Sequence, residues 1–236
     1  MNTRAAHDSV SRSSFFTPSP IHCRGMAYNN LEIEVKLAIP DRAGFDTILA
    51  AAEARAIPGL EISTFVGPLV RYDFYFDTPD RKLLAAGMLL RVGIASSERA
   101  KLTVKKNTDD RRTRTEIEEV MPPAEAMDAV RWKKLAKPMD LVREAVGEVP
   151  MTEQIRVSKV FWALHGIRDG GVWNATFGSS TFIGPRGTAE RYDLEVEAEE
   201  GATAETVEAV AKIIGRHFSL MPVERSKYQI GLELVG

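Results

Sequence analysis

Glu32, Glu34 and Lys36 alternate with Ile33, Val35 and Leu37 in the segment Leu31-Glu32-Ile33-Glu34-Val35-Lys36-Leu37. Strict alternation is the signature of a β-strand, so two carboxylates and an ammonium stand in one row and three aliphatic side chains face the other way. Such a row offers oxygen ligands to a hard divalent cation and a charged donor to a polyanion. It equally suits the solvated face of an ordinary half-buried strand. This segment alone does not decide between the two.

The pattern recurs. Lys101, Thr103 and Lys105 share one face of their segment; Arg114, Glu116 and Glu118 share another, as do Asp193, Glu195 and Glu197, and Arg91 lies in Leu89-Leu90-Arg91-Val92. One charged strand is common, but several point to a sheet whose polar face is organised around something. If that sheet closes into a barrel, the charged faces line its interior and the apolar faces bury against helices outside. Unpaired charge in a dry interior costs several kcal/mol, so the interior must be balanced, wet and served by metal and anion. Lys36, Arg91, Lys101, Lys105 and Arg114 facing Glu32, Glu34, Glu116, Glu118, Glu195 and Glu197 would supply that balance.

The elements that must position these residues can be read from pattern. After a strand over 31–39, Asp41 is a suitable N-cap for a helix carrying Phe45, Ile48, Leu49 and Ala52, which ends at Pro58-Gly59. Strands are expected over Glu61–Val66 and Val70–Phe76, with Tyr72, Phe74 and Phe76 as core, and then a short helix from Thr78-Pro79 to Ala85. Met88–Ile94 and Lys101–Lys106 form a hairpin, Asn107–Arg111 a polar loop, and Thr113–Val120 a further strand. Ala124–Val146 reads as two short helices parted near Lys137-Pro138. Gln154–Leu164, Gly171–Phe177, Ser180–Ile183 and Ala189–Ala198 return to strand, with turns at Asp169-Gly170-Gly171 and Gly184-Pro185-Arg186-Gly187. Thr203–Phe218 is an amphipathic helix, and Ser226 caps a last helix to Leu234. The expected fold is α+β: a closed antiparallel eight-stranded β-barrel with a charged interior and helices packed outside, one domain over 30–236 behind a flexible tail at 1–29.

Composition narrows the function. The chain has 31 Lys and Arg against 33 Asp and Glu, a net charge of −2, which speaks against a binder of duplex nucleic acid. Cys23 is the single cysteine, so no intrachain disulfide forms, and a cytoplasmic setting is expected. No apolar run is long enough to span a bilayer as a helix, so no membrane partner is expected. The tail is rich in Ser, Arg, Thr, Pro and Asn but has no apolar signal core, and Met26 is an alternative start. No His/Cys metal spacing, P-loop or nucleophile elbow occurs.

The chain resembles the CYTH, or triphosphate tunnel metalloenzyme, superfamily. The resemblance rests on Glu32-Ile33-Glu34-Val35-Lys36, Tyr75-Phe76-Asp77-Thr78-Pro79, Leu90-Arg91 and Lys101-Leu102-Thr103-Val104-Lys105. Arg114-Thr115-Glu116-Ile117-Glu118, Asp193-Leu194-Glu195-Val196-Glu197 and Ser226-Lys227-Tyr228 follow in the family's order. It implies a tunnel that binds triphosphate and Mg2+ or Mn2+. By match, Glu32, Glu34, Glu195 and Glu197 are metal ligands; Lys36, Arg91, Lys101, Lys105 and Lys227 are phosphate ligands, joined by Arg156 or Lys159. Glu116, Glu118 and Arg114 complete the candidate lining, and Glu32, Glu34 and Lys36 are the candidate catalytic set. Gly93 and Gly178 depart from the family, standing where it tends to carry an Arg and an Asp.

The expected activity is metal-dependent hydrolysis of inorganic triphosphate, or a related short polyphosphate, to pyrophosphate and phosphate. Class IV adenylyl cyclase and thiamine triphosphatase activity are the alternatives within the family, and a non-catalytic polyphosphate- or nucleotide-binding module is the alternative from another class. Oligomeric state is open.

Overall fold

The computed structural model describes residues 31–108, 113–132 and 136–236. The expected tail at 1–29, with Cys23 and Met26, and most of the loop Asn107–Arg111 lie outside the described residues. The chain runs β1 (Leu31–Ile39), α1 (Arg42–Glu53), β2 (Ile62–Asp77), α2 (Lys82–Ala85), β3 (Met88–Ile94), β4 (Ala100–Asn107) and β5 (Thr113–Met121). It continues through α3 (Pro123–Trp132), α4 (Lys137–Val146), β6 (Thr152–Arg168), β7 (Gly171–Gly184), β8 (Gly187–Ala198), α5 (Ala204–Phe218), β9 (Met221–Pro222) and α6 (Lys227–Val235).

Eight antiparallel strands form a ring in the order β5-β4-β3-β2-β6-β7-β8-β1. The ring closes where Leu31, Glu32 and Ile33 of β1 pair with Thr115, Arg114 and Thr113 of β5. Closure leaves no free edge along the ring. It also fixes register: β1 meets β8 with Glu34 opposite Glu197 and Lys36 opposite Glu195. A slip of one residue would turn every charged side chain of β1 outward, so the apolar outer faces hold the charged inner faces in place.

Those outer faces bury two cores. In one, α1 and α5 lay Phe45, Ile48, Val207, Val210 and Ile214 on Leu37, Leu164, Trp173, Phe177, Leu194 and Val196 of the sheet. In the other, α2, α3 and α4 cover Leu90, Val92, Leu102 and Val104 with Leu83, Val130, Met139 and Val142. Each fully buried aliphatic or aromatic side chain contributes about 1.5–3 kcal/mol. A third, smaller core lies inside the ring, where Tyr228 and Ile230 of α6 pack on Tyr75, Ile155, Val157 and Phe182. The helix is set there by a capping box: Ser226 Oγ accepts from Gln229 N, and Gln229 Oε1 accepts from Ser226 N at 2.9 Å. Tyr228 then donates to the buried Asp77 at 3.2 Å, a carboxylate that also accepts from the backbone of Thr78, Leu83 and Leu84. Lys227, at the first turn, is thereby aimed into the tunnel.

The charged strands, the hairpin and the α3–α4 break stand where the pattern placed them. Four differences have local causes. Glu61–Val66 and Val70–Phe76 are one long strand, β2, which stays paired with β6 across an irregularity between Val66 and Leu69. Gly171–Phe177 and Ser180–Ile183 are likewise continuous through Gly178. The first helix stops at Glu53, short of Pro58, and the two-residue β9 was not expected. Tyr72 is no core residue but 51 % exposed, because no helix covers its stretch of β2; Phe76, four residues on, is buried under α2 and α4.

Candidate functional site

Every sequence-predicted site residue except Arg156 lines one cavity of about 160 Å³ inside the ring. β1 contributes Glu32, Glu34 and Lys36; β3 contributes Arg91; β4 contributes Lys101 and Lys105; β5 contributes Arg114, Glu116 and Glu118. Lys159 comes from β6, Glu195 and Glu197 from β8, and Lys227 from α6. Arg156 is the exception. Its side chain is 51 % exposed, pairs with Glu153 at 2.7 Å and lies over the Phe74 ring, on the outside of the sheet. Lys159 is an odd number of positions along β6, so the pleat turns it inward instead. Lys101, 53 % exposed, stands at the rim and pairs with Glu118 at 2.6 Å.

The charges interlock around the ring. Lys105 pairs with Glu32 and lies 3.4 Å from Glu116; Lys36 pairs with Glu34, which Arg114 also reaches at 3.2 Å. Lys227 sits between Asp193 at 3.0 Å and Glu195 at 2.8 Å. Burial works against ionisation of Glu34, but Lys36 and Lys105 outweigh it and hold its pKa below the usual carboxylate value. Glu195 is held well below that value in the same way, burial being overcome by Lys227, Lys159 and Lys36. Lys227 keeps its proton to high pH because Asp193 and Glu195 outweigh its desolvation.

Two acids go the other way. Burial, then the neighbouring Glu195 and Glu32, push Glu197 up. Burial raises Glu116 to about 7, with Glu32 and Glu118 adding to it against the pull of Lys105. Carboxylates that repel one another in a confined space are the place for a cation. Glu32, Glu34 and Glu197 each bring an oxygen to within 4.8 Å of the others, close enough to share one ion. Glu32 Oε2 is buried there without a hydrogen-bond partner. An all-carboxylate oxygen set matches a hard cation such as magnesium or manganese, so the residues present fit the metal.

Residues the sequence reading passed over also face inward. Arg71, Asp73 and Tyr75 alternate with Tyr72, Phe74 and Phe76 on β2, and the aromatic face drew attention from the charged one. Asp73 is fully buried, 3.0 Å from Arg71 and 4.0 Å from Arg91, and both guanidinium groups help keep its pKa low against burial. Tyr75 has its hydroxyl pushed up to about 12 by burial and by Asp73, so it remains protonated near neutrality.

Gly178 has a steric reason. It pairs with Phe161 on one side and Asp193 on the other, and a Cβ there would stand 2.1 Å from Val160 O. The acid in this region is Asp193, which accepts from Ser180 Oγ at 3.2 Å and faces Lys227. We expect Gly178→Ala to cost about 1–3 kcal/mol of stability through overpacking, read as a fall in the denaturant midpoint at constant slope. An unchanged midpoint would mean that the strand shifts freely at this point.

A family model for the CYTH domain matches residues 30–227. Among solved structures, a Bacillus halodurans protein provisionally named an adenylate cyclase superposes with a TM-score of 0.59 at 18 % identity, covering 85 % of this chain and 97 % of that one. A Hippeastrum protein, provisionally named an adenylyl cyclase and described as revealing a dominant triphosphatase activity, superposes with a TM-score of 0.58 at 15 % identity, covering 87 % and 97 %. A protein of Pyrococcus horikoshii OT3 does so at 0.51 and 20 % identity, covering 86 % and 99 %. At these identities the likeness is one of fold. No curated protein matches the chain. With the family match spanning all eight strands of the ring and reaching Lys227, the chain belongs to the CYTH domain family.

Proposed function

We propose that this tunnel hydrolyses inorganic triphosphate to pyrophosphate and phosphate with a divalent metal, magnesium or manganese. The observation that carries the reading is the cavity itself, where eight cationic side chains and six carboxylates converge on about 160 Å³. A compact polyanion with oxygen over its whole surface needs that density of N–H donors, and its metal needs the acids. Glu32, Glu34 and Glu197 would hold the ion, with Glu195 beside them. When bound, it would neutralise charge on phosphate oxygens and lower the pKa of nearby water.

The chain's own residues do the positioning. Lys36, Lys105, Arg91 and Lys227 approach from four elements, so they grip the phosphate chain from several sides and stabilise charge that shifts during in-line displacement. Their carboxylate partners hold the cations in place, and with a metal on those carboxylates the cations would be free for phosphate. Glu116, with a pKa near 7, is the acid able to exchange a proton close to neutrality. The triphosphatase activity described for the Hippeastrum protein supports the reading.

One feature favours a second reading. A wider chamber of about 440 Å³ adjoins the charged one and is lined partly by Leu84, Met88, Leu89 and Val223. It has room for an organic group on the triphosphate, as in ATP or thiamine triphosphate, and the name of the Bacillus halodurans protein points to ATP. In either case the partner is a small molecule, and a cytoplasmic setting fits the single cysteine. No helix among the described residues is long and apolar enough to cross a membrane.

Turnover measured side by side on inorganic triphosphate, thiamine triphosphate and ATP, with Mg2+ or Mn2+, tests these readings. Phosphate release fastest from inorganic triphosphate is the expected result. Cyclic AMP and pyrophosphate from ATP would favour the cyclase, and tight binding without turnover across metals and pH would make the tunnel a binding module.

A further inference from the structure

Around Asp73 the tunnel gathers three cations. Arg71 Nε lies 3.0 Å from Asp73 Oδ1, Arg91 Nε 4.0 Å from the same oxygen, and Lys159 Nζ 3.9 Å from Oδ2. Three cations thus converge on one buried acid; Arg91 also faces Glu118 at 3.8 Å and Lys159 also faces Glu195 at 4.0 Å, so among the described residues Arg71 is the one whose ion pair is with Asp73 alone. Arg71 Nη2 donates to Oδ2 at 3.2 Å. Its Nε is buried without a hydrogen-bond partner despite lying 3.0 Å from the carboxylate, and Arg91 Nε, also buried without one, is too far away at 4.0 Å. Burial, then Lys227 and Arg71, push Lys159 down to about 7 against the pull of Glu195 and Asp73.

Gly93 makes the arrangement possible. It is paired with Asp73 across β2 and β3, and a Cβ there would stand 2.9 Å from Asp73 Oδ1 and 3.7 Å from Arg71 Cδ. A larger side chain would take the space over which Asp73 and Arg71 lie. Arg71 lines the 160 Å³ cavity and also an adjoining chamber of about 270 Å³, where its guanidinium stands 5.8 Å from the Phe161 ring centroid. It therefore stands at the junction of the two.

We propose that Arg71 is a phosphate-binding residue of this tunnel, and that Gly93 is the position that admits it. Arg71 carries the cationic lining from Arg91 toward the 270 Å³ chamber, with Asp73 orienting the guanidinium and leaving N–H groups for a polyanion. This rests on the triphosphate reading of the site.

Calorimetric titration of inorganic triphosphate into the full chain, with metal omitted, tests it. Arg71→Gln should weaken binding about tenfold or more, the loss of a charge-assisted hydrogen bond. It should do so without a matching fall in the thermal midpoint. Arg71→Lys keeps the charge beside Asp73 and loses the fork, so it should weaken binding severalfold while folding normally. Wild-type affinity in both Arg71 variants would leave Arg71 only neutralising Asp73 and overturn the proposal. Absence of triphosphate binding in the unmodified chain would overturn the reading of the site, and this proposal with it.

Discussion

Replacing Glu34 with glutamine is expected to cut metal-dependent phosphate release from inorganic triphosphate by on the order of a thousandfold, the several kcal/mol that a metal's charge contributes. Glutamine keeps the size and one acceptor oxygen of Glu34 and removes its charge, so packing against β8 is undisturbed. What goes is one of the three carboxylates that can share an ion, the one paired in register with Glu197 and held ionised by Lys36 and Lys105. Lys36 and Arg114 then lose their common counter-ion, so triphosphate binding measured without metal should hold or strengthen while turnover with metal collapses. That split between binding and turnover separates a metal ligand from a structural acid. Full turnover in the variant would remove Glu34 from the site.

The ladders were legible because a strand's period is two: Glu32, Glu34 and Lys36 had to share a face whatever the fold. What one row could not show was which face turned inward; the recurrence of charged rows points to a ring as an arrangement that satisfies them all, and the pairing of β1 with β5 closes it. On β2 the same logic was available and misapplied. Arg71, Asp73 and Tyr75 share a face as plainly as Tyr72, Phe74 and Phe76, but the aromatic row reads as core and the charged row beside it was passed over. On β6 neither Arg156 nor Lys159 was excluded, because their positions have opposite parity and the inward face depends on pairing with β2 and β7. Gly178 was opaque for another reason. Its need is set by the approach of Val160 and Phe161 on a neighbouring strand, and no local sequence signal reports a cross-strand distance.

Replacing Lys227 with glutamine is expected to cost about 3–5 kcal/mol of stability at neutral pH, the usual result of removing one partner from a buried ion cluster. Lys227 is the only group that lies within 3.0 Å of both Asp193 and Glu195 among the described residues, and Lys159 stands too far off, at 4.0 Å from Glu195, to replace it. The sign of the pH dependence follows from Glu195. Its folded pKa lies well below the ordinary 4.5, so it contributes stability that is present above 4.5 and lost as pH falls through the lower folded value. Without Lys227 most of that contribution is gone at every pH. The gap between wild type and variant should therefore be widest above pH 4.5 and narrow on acidification, in denaturant melts across that range. Adding Glu195→Gln to the variant should return part of the loss, because the stranded charge goes with it. A gap that stayed constant with pH would show that Lys227 acts through the packing of its buried side chain, with the charge cluster carried by other cations.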